Sequence, residues 1–260
     1  MTLHTAPGAA RSVGGGRALV REAPVAIVCN GATLGVMMAT PADLEDFALG
    51  FALTEGVLAG LDELREIELV DHAAGTEARL WLAPAAAARV AERQRSLIGP
   101  VGCGLCGIDS LAKVARKLPP APPGVVLPLA EACAAPDLLR AHQPEHDRTR
   151  AAHAAGFLVP GRGIVLARED VGRHNALDKL AGALARAGTD PAGGVLVLTS
   201  RVSTEMVQKA ASIGIPTIVA VSAATDYAAR LAADSGLTLV TRARAGRCEV
   251  LAGPERIAGA

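Results

Sequence analysis

From residue 163 onward the sequence repeats one pattern: a short apolar, β-prone run, a polar break, then a helical stretch that closes on glycine. The apolar runs fall at 163–167, 195–199, 217–221 and 237–240. Gly188, Gly214 and Gly236 stand where three intervening helices should end, because glycine accepts the left-handed conformation of a helix C-cap. This alternation restricts the chain to a sheet covered by helices, an α/β (α+β) fold. Half of the 260 residues are hydrophobic, and 26 Lys+Arg balance 26 Asp+Glu. That composition excludes a disordered chain and a bulk polyanion binder. Aromatic residues are only 2% (Phe47, Phe51, Trp81, Phe157, Tyr227), too few to stack on exposed bases. No nucleic-acid partner is expected.

The first part of the chain reads differently. Residues 25–29 and 33–38 are apolar runs joined around Asn30-Gly31, a pair suited to the positive φ angles of a tight hairpin. Thr40-Pro41 predicts a helix start, with Leu44, Phe47, Ala48 and Phe51 on one face and an end near Gly56. Strands at 67–70 and 78–82 and an alanine-rich helix from Pro84 to about Arg95 should follow. A proline-rich run at 119–124 marks an internal boundary, since missing amide donors stop a helix there. The expected organisation is a tail at 1–22, an N-terminal part at 23–118, a Pro-rich and polar connection at 119–148, and an α/β part at 149–260. The first twenty residues hold no apolar block of signal or membrane length, so no membrane contact is expected.

Three places can carry chemistry. Cys103-Gly-Leu-Cys106 is flanked and split by glycine, which lets the backbone approach another surface closely. Either thiol can be activated, and the other can attack a sulfur bound to the first, which favours a carrier. A structural zinc site would need a second ligand pair that is missing, and a thioredoxin-like reductase would place its pair after a strand. Both readings stay open with less support. A zinc nucleoside deaminase would show His-x-Glu and then Pro-Cys-x-x-Cys, and neither occurs. The cysteine count of five is odd, which suits a reducing, cytoplasmic setting. Cys29 and Cys248 read as small core residues, and Cys133 has no assigned role.

The second place is 168–179, where Arg168, Glu169, Asp170, Arg173, His174, Asn175, Asp178 and Lys179 follow a strand and enter a helix. Ligands bind at such strand ends, although capping and solvated ion pairs would use the same residue types. The third is Arg242-Ala243-Arg244-Ala245-Gly246-Arg247, in which guanidinium groups around a glycine can grip pyrophosphate. A plain basic turn is the alternative. The run from Ser200 to Glu205 can line the same crevice or cap a helix.

Taken together, these residues resemble the FdhD family, sulfurtransferase accessory proteins required for active formate dehydrogenase. The resemblance covers about 24–250. It is carried by Asp-Phe-Ala-Leu-Gly-Phe-Ala-Leu-Thr-Glu-Gly at 46–56, the Cys103/Cys106 pair, Glu-Asp-Val-Gly-Arg-His-Asn-Ala-Leu-Asp-Lys at 169–179, Ser200-Arg-Val-Ser203, Glu205 with Gln-Lys-Ala-Ala at 208–211, and Gly214-Ile-Pro216.

The resemblance implies a larger domain similar in fold to cytidine deaminase, beside a smaller N-terminal β-containing subdomain. It implies a sulfur carrier that accepts persulfide sulfur from a cysteine desulfurase. The sulfur passes to a molybdenum or tungsten bis(pterin guanine dinucleotide) cofactor destined for the formate dehydrogenase catalytic subunit. Cys103 would hold the persulfide with Cys106 assisting, and Arg242 to Arg247 would bind the cofactor, with Arg173 and His174 on the crevice wall. No resident metal site is expected, and a homodimer is. Relatives usually place an aromatic residue where this chain has Arg242, and a glycine-rich segment where it has Arg150-Ala151-Ala152. The rival readings are a cofactor-binding chaperone without covalent sulfur transfer, and a CxxC dithiol oxidoreductase.

Overall fold

A computed structural model describes residues 18–97 and 118–260. Cys103 and Cys106 lie outside the described residues. The first unit is a four-stranded sheet of β1 (Ala23–Cys29), β2 (Ala32–Ala39), β3 (Leu64–His72) and β4 (Gly75–Leu82), in the order β2-β1-β4-β3. β1 and β4 run parallel in the middle, and each outer pair is antiparallel. The expected turn is present: Cys29 pairs with Ala32, and Asn30 and Gly31 have φ of 47° and 82°. One face of the sheet presents Val25, Ile27, Cys29, Ala78, Leu80 and Leu82 to α1 (Leu44–Thr54) and α2 (Pro84–Leu97). Phe47, Ala48 and Ala52 of α1 and Ala86 and Val90 of α2 complete this core.

The start of α1 departs from the expectation. Asp43, at φ 53°, is the N-cap, and Thr40 lies outside the helix. The reason is long-range. The Thr40 amide donates to Asp170 Oδ2 (2.9 Å), its hydroxyl accepts from the Val171 amide (3.0 Å), and its carbonyl accepts from Lys179 Nζ (2.9 Å). A cap worth about 1 kcal/mol yields to three bonds at a buried junction.

The second unit is a six-stranded sheet, ordered β11-β10-β9-β8-β6-β7. Its strands are β6 (His153–Val159), β7 (Gly163–Asp170), β8 (Val195–Leu198), β9 (Thr217–Ala220), β10 (Thr238–Arg244) and β11 (Arg247–Ala252). Among the described residues, the remaining strands, β5 (Leu127–Pro128) and β12 (Ile257–Ala258), pair only with each other. β8, β9 and β10 are parallel, while β6 is antiparallel to both β7 and β8. β8 and β9 are buried at every position, which accounts for their unbroken apolar sequences.

Alternate residues serve opposite faces of this sheet. Leu196, Leu198, Ile218, Ala220 and Leu239 pack with helices α5 (Arg173–Arg186), α6 (Thr204–Ser212) and α7 (Asp226–Asp234). Val195, Val197, Val219 and Val240 pack with α3 (Leu129–Arg140). Thus the stretch 119–148, read as a connection, contributes the helix that covers the second face, followed by the short α4 (Pro144–Thr149). Gly188, Gly214 and Gly236 follow α5, α6 and α7 at φ of 61°, 77° and 69°, as the glycine spacing predicts.

The two units meet where α1 crosses α5 with backbones in contact. A Cβ on Gly50 would lie 1.6 Å from the Asp178 carbonyl oxygen, and one on Gly182 would lie 2.0 Å from that of Asp46. Charged groups ring this crossing. Asp46 accepts from Arg168 Nη2 (2.7 Å) and Arg186 Nη1 (2.9 Å). Lys179 Nζ lies 2.7 Å from Asp170 Oδ2, with both side chains fully buried. Asn175 Nδ2 donates to the Met38 carbonyl and to Asp170 Oδ1, both at 2.9 Å. Most polar residues of the segments at 46–56 and 169–179 therefore fasten one unit to the other.

Candidate functional site

The arginine segment forms the tip of the β10–β11 hairpin. Arg244 pairs with Arg247 across Ala245 and Gly246, whose φ angles of 52° and 73° make a two-residue turn with both central residues left-handed. Arg242 also has a positive φ, 50°, where the register slips by a residue between Thr241 and Arg244. Left-handed backbone at residues other than glycine costs about 1–2 kcal/mol each, so the tip carries strain at Arg242 and Ala245. The bulge keeps Ala243 fully buried among the α3-side core residues, beneath the tip, and leaves Arg242, Arg244 and Arg247 exposed. A shallow concavity is lined by Arg242, Arg244, Ala245, Arg247, Cys248 and Glu249. Arg242 pairs with Glu249 at 3.2 Å. Among the described residues, Arg244 and Arg247 have no carboxylate partner. They are two free guanidinium groups on one turn, suited to bidentate phosphate contacts.

Arg173 and His174 occupy the first turn of α5, after β7 ends at Asp170. Neighbouring α6 begins at Ser203, which makes no side-chain cap. His174 Nε2 lies 2.8 Å from Glu205 Oε2 across the two helix starts. Among the described residues, Arg173 Nε and Ser203 Oγ are buried without a hydrogen-bond partner. Each unsatisfied buried group costs about 1–3 kcal/mol, so an oxygen-rich ligand here would be stabilised by groups already in place. Burial pushes the His174 imidazole below its ordinary value, against the pull of Glu205. Burial, then Arg173 and His146, lower His153, which stands opposite Asp170 in the β6–β7 register. Both imidazoles are thus biased to the neutral form.

The remaining polar residues of 168–179 have other duties. Glu169 accepts the Glu145 and His146 amides at 2.7 and 2.8 Å and so caps α4, and Arg168 holds Asp46. Burial raises the Glu169 carboxyl, with those two amides opposing. Asp178 and Lys179 point into the protein, towards Lys209 and Asp170 respectively. Arg150, at φ 58°, takes a left-handed conformation at the end of α4.

The two arginine groups share the carboxyl edge of the sheet but stand apart along it. Four strand intervals separate β10 from β7, roughly 19 Å at about 4.8 Å per interval. A row of loops connects them. The 199–203 loop is joined to the next by the Val202–Ala224 bridge, with Thr225 donating to the Val202 carbonyl at 3.0 Å. The Arg242 amide in turn donates to the Ser222 carbonyl at 3.1 Å. Sequence reading missed this continuity because each link is a backbone bond that no side-chain pattern announces. It also missed Cys133, whose Sγ lies 2.6 Å from that of Cys248. Among the described residues no three His, Cys, Asp or Glu side chains cluster as metal ligands. No helix among them is long and apolar enough to cross a membrane.

Comparison with known proteins places this architecture. The family model described as FdhD/NarQ matches residues 20–258. The "Sulfur carrier protein FdhD" of Bordetella parapertussis is 46% identical over 240 residues, covering 92% of this chain and 87% of that protein. That of Agrobacterium fabrum is 44% identical over 249 residues, covering 94% and 90%. A crystal structure from Desulfotalea psychrophila, of a protein assigned as a formate dehydrogenase accessory protein, is similar with a TM-score of 0.73. Its sequence identity is 28%, over 93% of this chain and 91% of that one. The fold, the order of its motifs and the full-length match agree: the chain belongs to the FdhD/NarQ family.

Proposed function

We propose that this protein is a sulfur carrier that loads a bis(pterin guanine dinucleotide) cofactor with sulfur for formate dehydrogenase. The observation that carries the reading is the match over residues 20–258 to a family whose similar members are named sulfur carrier proteins. The hairpin with Arg244 and Arg247 unpaired supports it, because the cargo offers pyrophosphate oxygens. In the sulfur step, the Cys103 thiolate attacks the outer sulfur of a desulfurase persulfide. The S–S bond breaks, the desulfurase cysteine leaves as thiolate, and Cys103 becomes the persulfide. Its outer sulfur then passes as sulfane sulfur to the metal centre of the cargo, molybdenum or tungsten, which as substrate supplies the two electrons that make it sulfide, and Cys103 returns as thiolate. Cys106 assists by holding the loop. Its other route is to attack the inner sulfur of Cys103, which expels hydrosulfide and leaves a Cys103–Cys106 disulfide for an external dithiol to reduce.

On this reading the hairpin grips guanine-nucleotide phosphates, while Arg173, His174 and Ser203 meet oxygen-rich groups further along the same edge. Arg242, where relatives usually have an aromatic residue, offers charge in place of stacking. The scaffold is read as cytidine-deaminase-like, put to binding cargo. Incubation with desulfurase and cysteine, followed by mass spectrometry, should find one added sulfur on the peptide containing Cys103. Equal labelling of Cys103→Ala would overturn the assignment. Full formate dehydrogenase activation by Cys103→Ala would instead favour a chaperone that moves no sulfur.

A further inference from the structure

Cys133 and Cys248 stand 115 residues apart in sequence, yet their sulfurs are separated by 2.6 Å. That is about half an ångström beyond a covalent S–S bond of about 2.05 Å. Neither sits on a loop. Cys133 projects from α3 and is 5% exposed, and Cys248 belongs to β11, which packs beside α3 in the same core. Regular elements hold the sulfurs opposed. Cys248 is only half-buried and also lines the concavity of the arginine hairpin, one residue from Arg247, so a small reagent can reach it.

We propose that Cys133 and Cys248 form a redox-active dithiol, oxidised by small disulfides such as glutathione disulfide to a bridge that ties the arginine hairpin to α3. A thiolate of the pair attacks one sulfur of the external disulfide, forming a mixed disulfide and expelling one glutathione thiolate, which takes up the released proton. The second protein thiol attacks the mixed disulfide, closes the Cys133–Cys248 bond and releases the second glutathione. Two protein thiols are oxidised and one external disulfide is reduced. Burial, and then the hydrogen bond with Cys133, push the Cys248 thiol up to about 12. Exchange is therefore slow at neutral pH and accelerates about tenfold per pH unit as the thiolate fraction grows.

The pair handles electrons, not the transferred sulfur, so it is separate from Cys103 and Cys106. Its effect on phosphate binding rests on the function proposed above, but its existence does not.

The test is incubation of the full chain with glutathione disulfide at pH 7 and pH 8, followed by alkylation, non-reducing digestion and mass spectrometry. The expected product is a linked peptide pair containing Cys133 and Cys248, lighter by two hydrogens than the separate peptides. It should form about tenfold faster at the higher pH and disappear with dithiothreitol. Cys248→Ser, at the more exposed position, should keep the fold and lose the link. The proposal is overturned if the link forms only in urea, or if both thiols of the folded chain remain fully alkylatable in excess glutathione disulfide. Loss of persulfide on Cys103 would leave the link intact, so the two readings fail separately.

Discussion

Lys209 Nζ lies 2.9 Å from Asp178 Oδ1 at a point where α1, α5 and α6 meet. The ammonium also reaches Thr54 Oγ1 at 2.9 Å and Glu55 Oε1 at 3.0 Å, and stands 5.4 Å from the centre of the Phe51 ring. Burial works against the lysine charge, but the carboxylates of Asp178 and Glu55 outweigh it and hold its pKa above the ordinary value. For Asp178 burial wins and raises the carboxyl to about 6. The ion pair therefore fixes three helices more than it adds net stability.

Removing one partner exposes that balance. Lys209→Met should cost about 3–5 kcal/mol at pH 8, the usual penalty for a buried charge left alone. The loss should shrink at pH 5. Without the ammonium the folded pKa of Asp178 rises further above its unfolded value, so the folded state binds the extra proton as pH falls. Urea unfolding at both pH values measures this, and an equal loss at both would contradict it.

The α1–α5 crossing admits no side chain. Gly182→Ala would set a Cβ 2.0 Å from the Asp46 carbonyl oxygen, and Gly50→Ala would be worse, at 1.6 Å from that of Asp178. Each substitution should cost about 3 kcal/mol or more, at the upper end of overpacking effects, because the obstacle is backbone. Thermal unfolding of either variant within a degree of wild type would show that the helices can separate.

At the hairpin the expectation reverses. Arg244→Ala and Arg247→Ala should leave stability nearly unchanged, since both side chains are exposed. Each should weaken GDP binding about tenfold, the scale of one charge-assisted hydrogen bond. Calorimetry at low and high salt should show a smaller salt dependence in each variant.

Acid sensitivity should trace in part to the imidazoles. His153 and His174 have lowered pKa values in the folded protein, each led by burial. The unfolded chain therefore binds more protons in the window just below the ordinary histidine value of about 6.5. Stability rises with pH through that window and is lost as pH falls. Melting curves between pH 7.5 and 5.5 should show the decline, and His174→Gln should make it shallower.

Local signals in the sequence announce much of this fold. Asn30-Gly31 marks its hairpin, and Gly188, Gly214 and Gly236 mark three helix ends, because the backbone there needs positive φ whatever packs around it. β6 was hidden: His153–Val159 opens on small residues after a polar stretch, and only its place between β7 and β8 makes it a strand. α3 was hidden by Pro136 within it and Pro128 before it. Thr40 reads as a cap from its neighbours, yet its partner Asp170 is 130 residues away. At the candidate site, the arginines were visible as a cluster. The bulge that buries Ala243, and the Cys133–Cys248 meeting, depend on register and on a helix the pattern did not reveal.

The joint between the units separates ancestry from chemistry. Asp46, Thr54, Asp178, Lys179 and Lys209 lie in stretches that carry the family resemblance, yet their work here is mechanical, holding two bodies in one pose. A substitution among them would shift one body against the other and leave the exposed tip of the β10–β11 hairpin as it is.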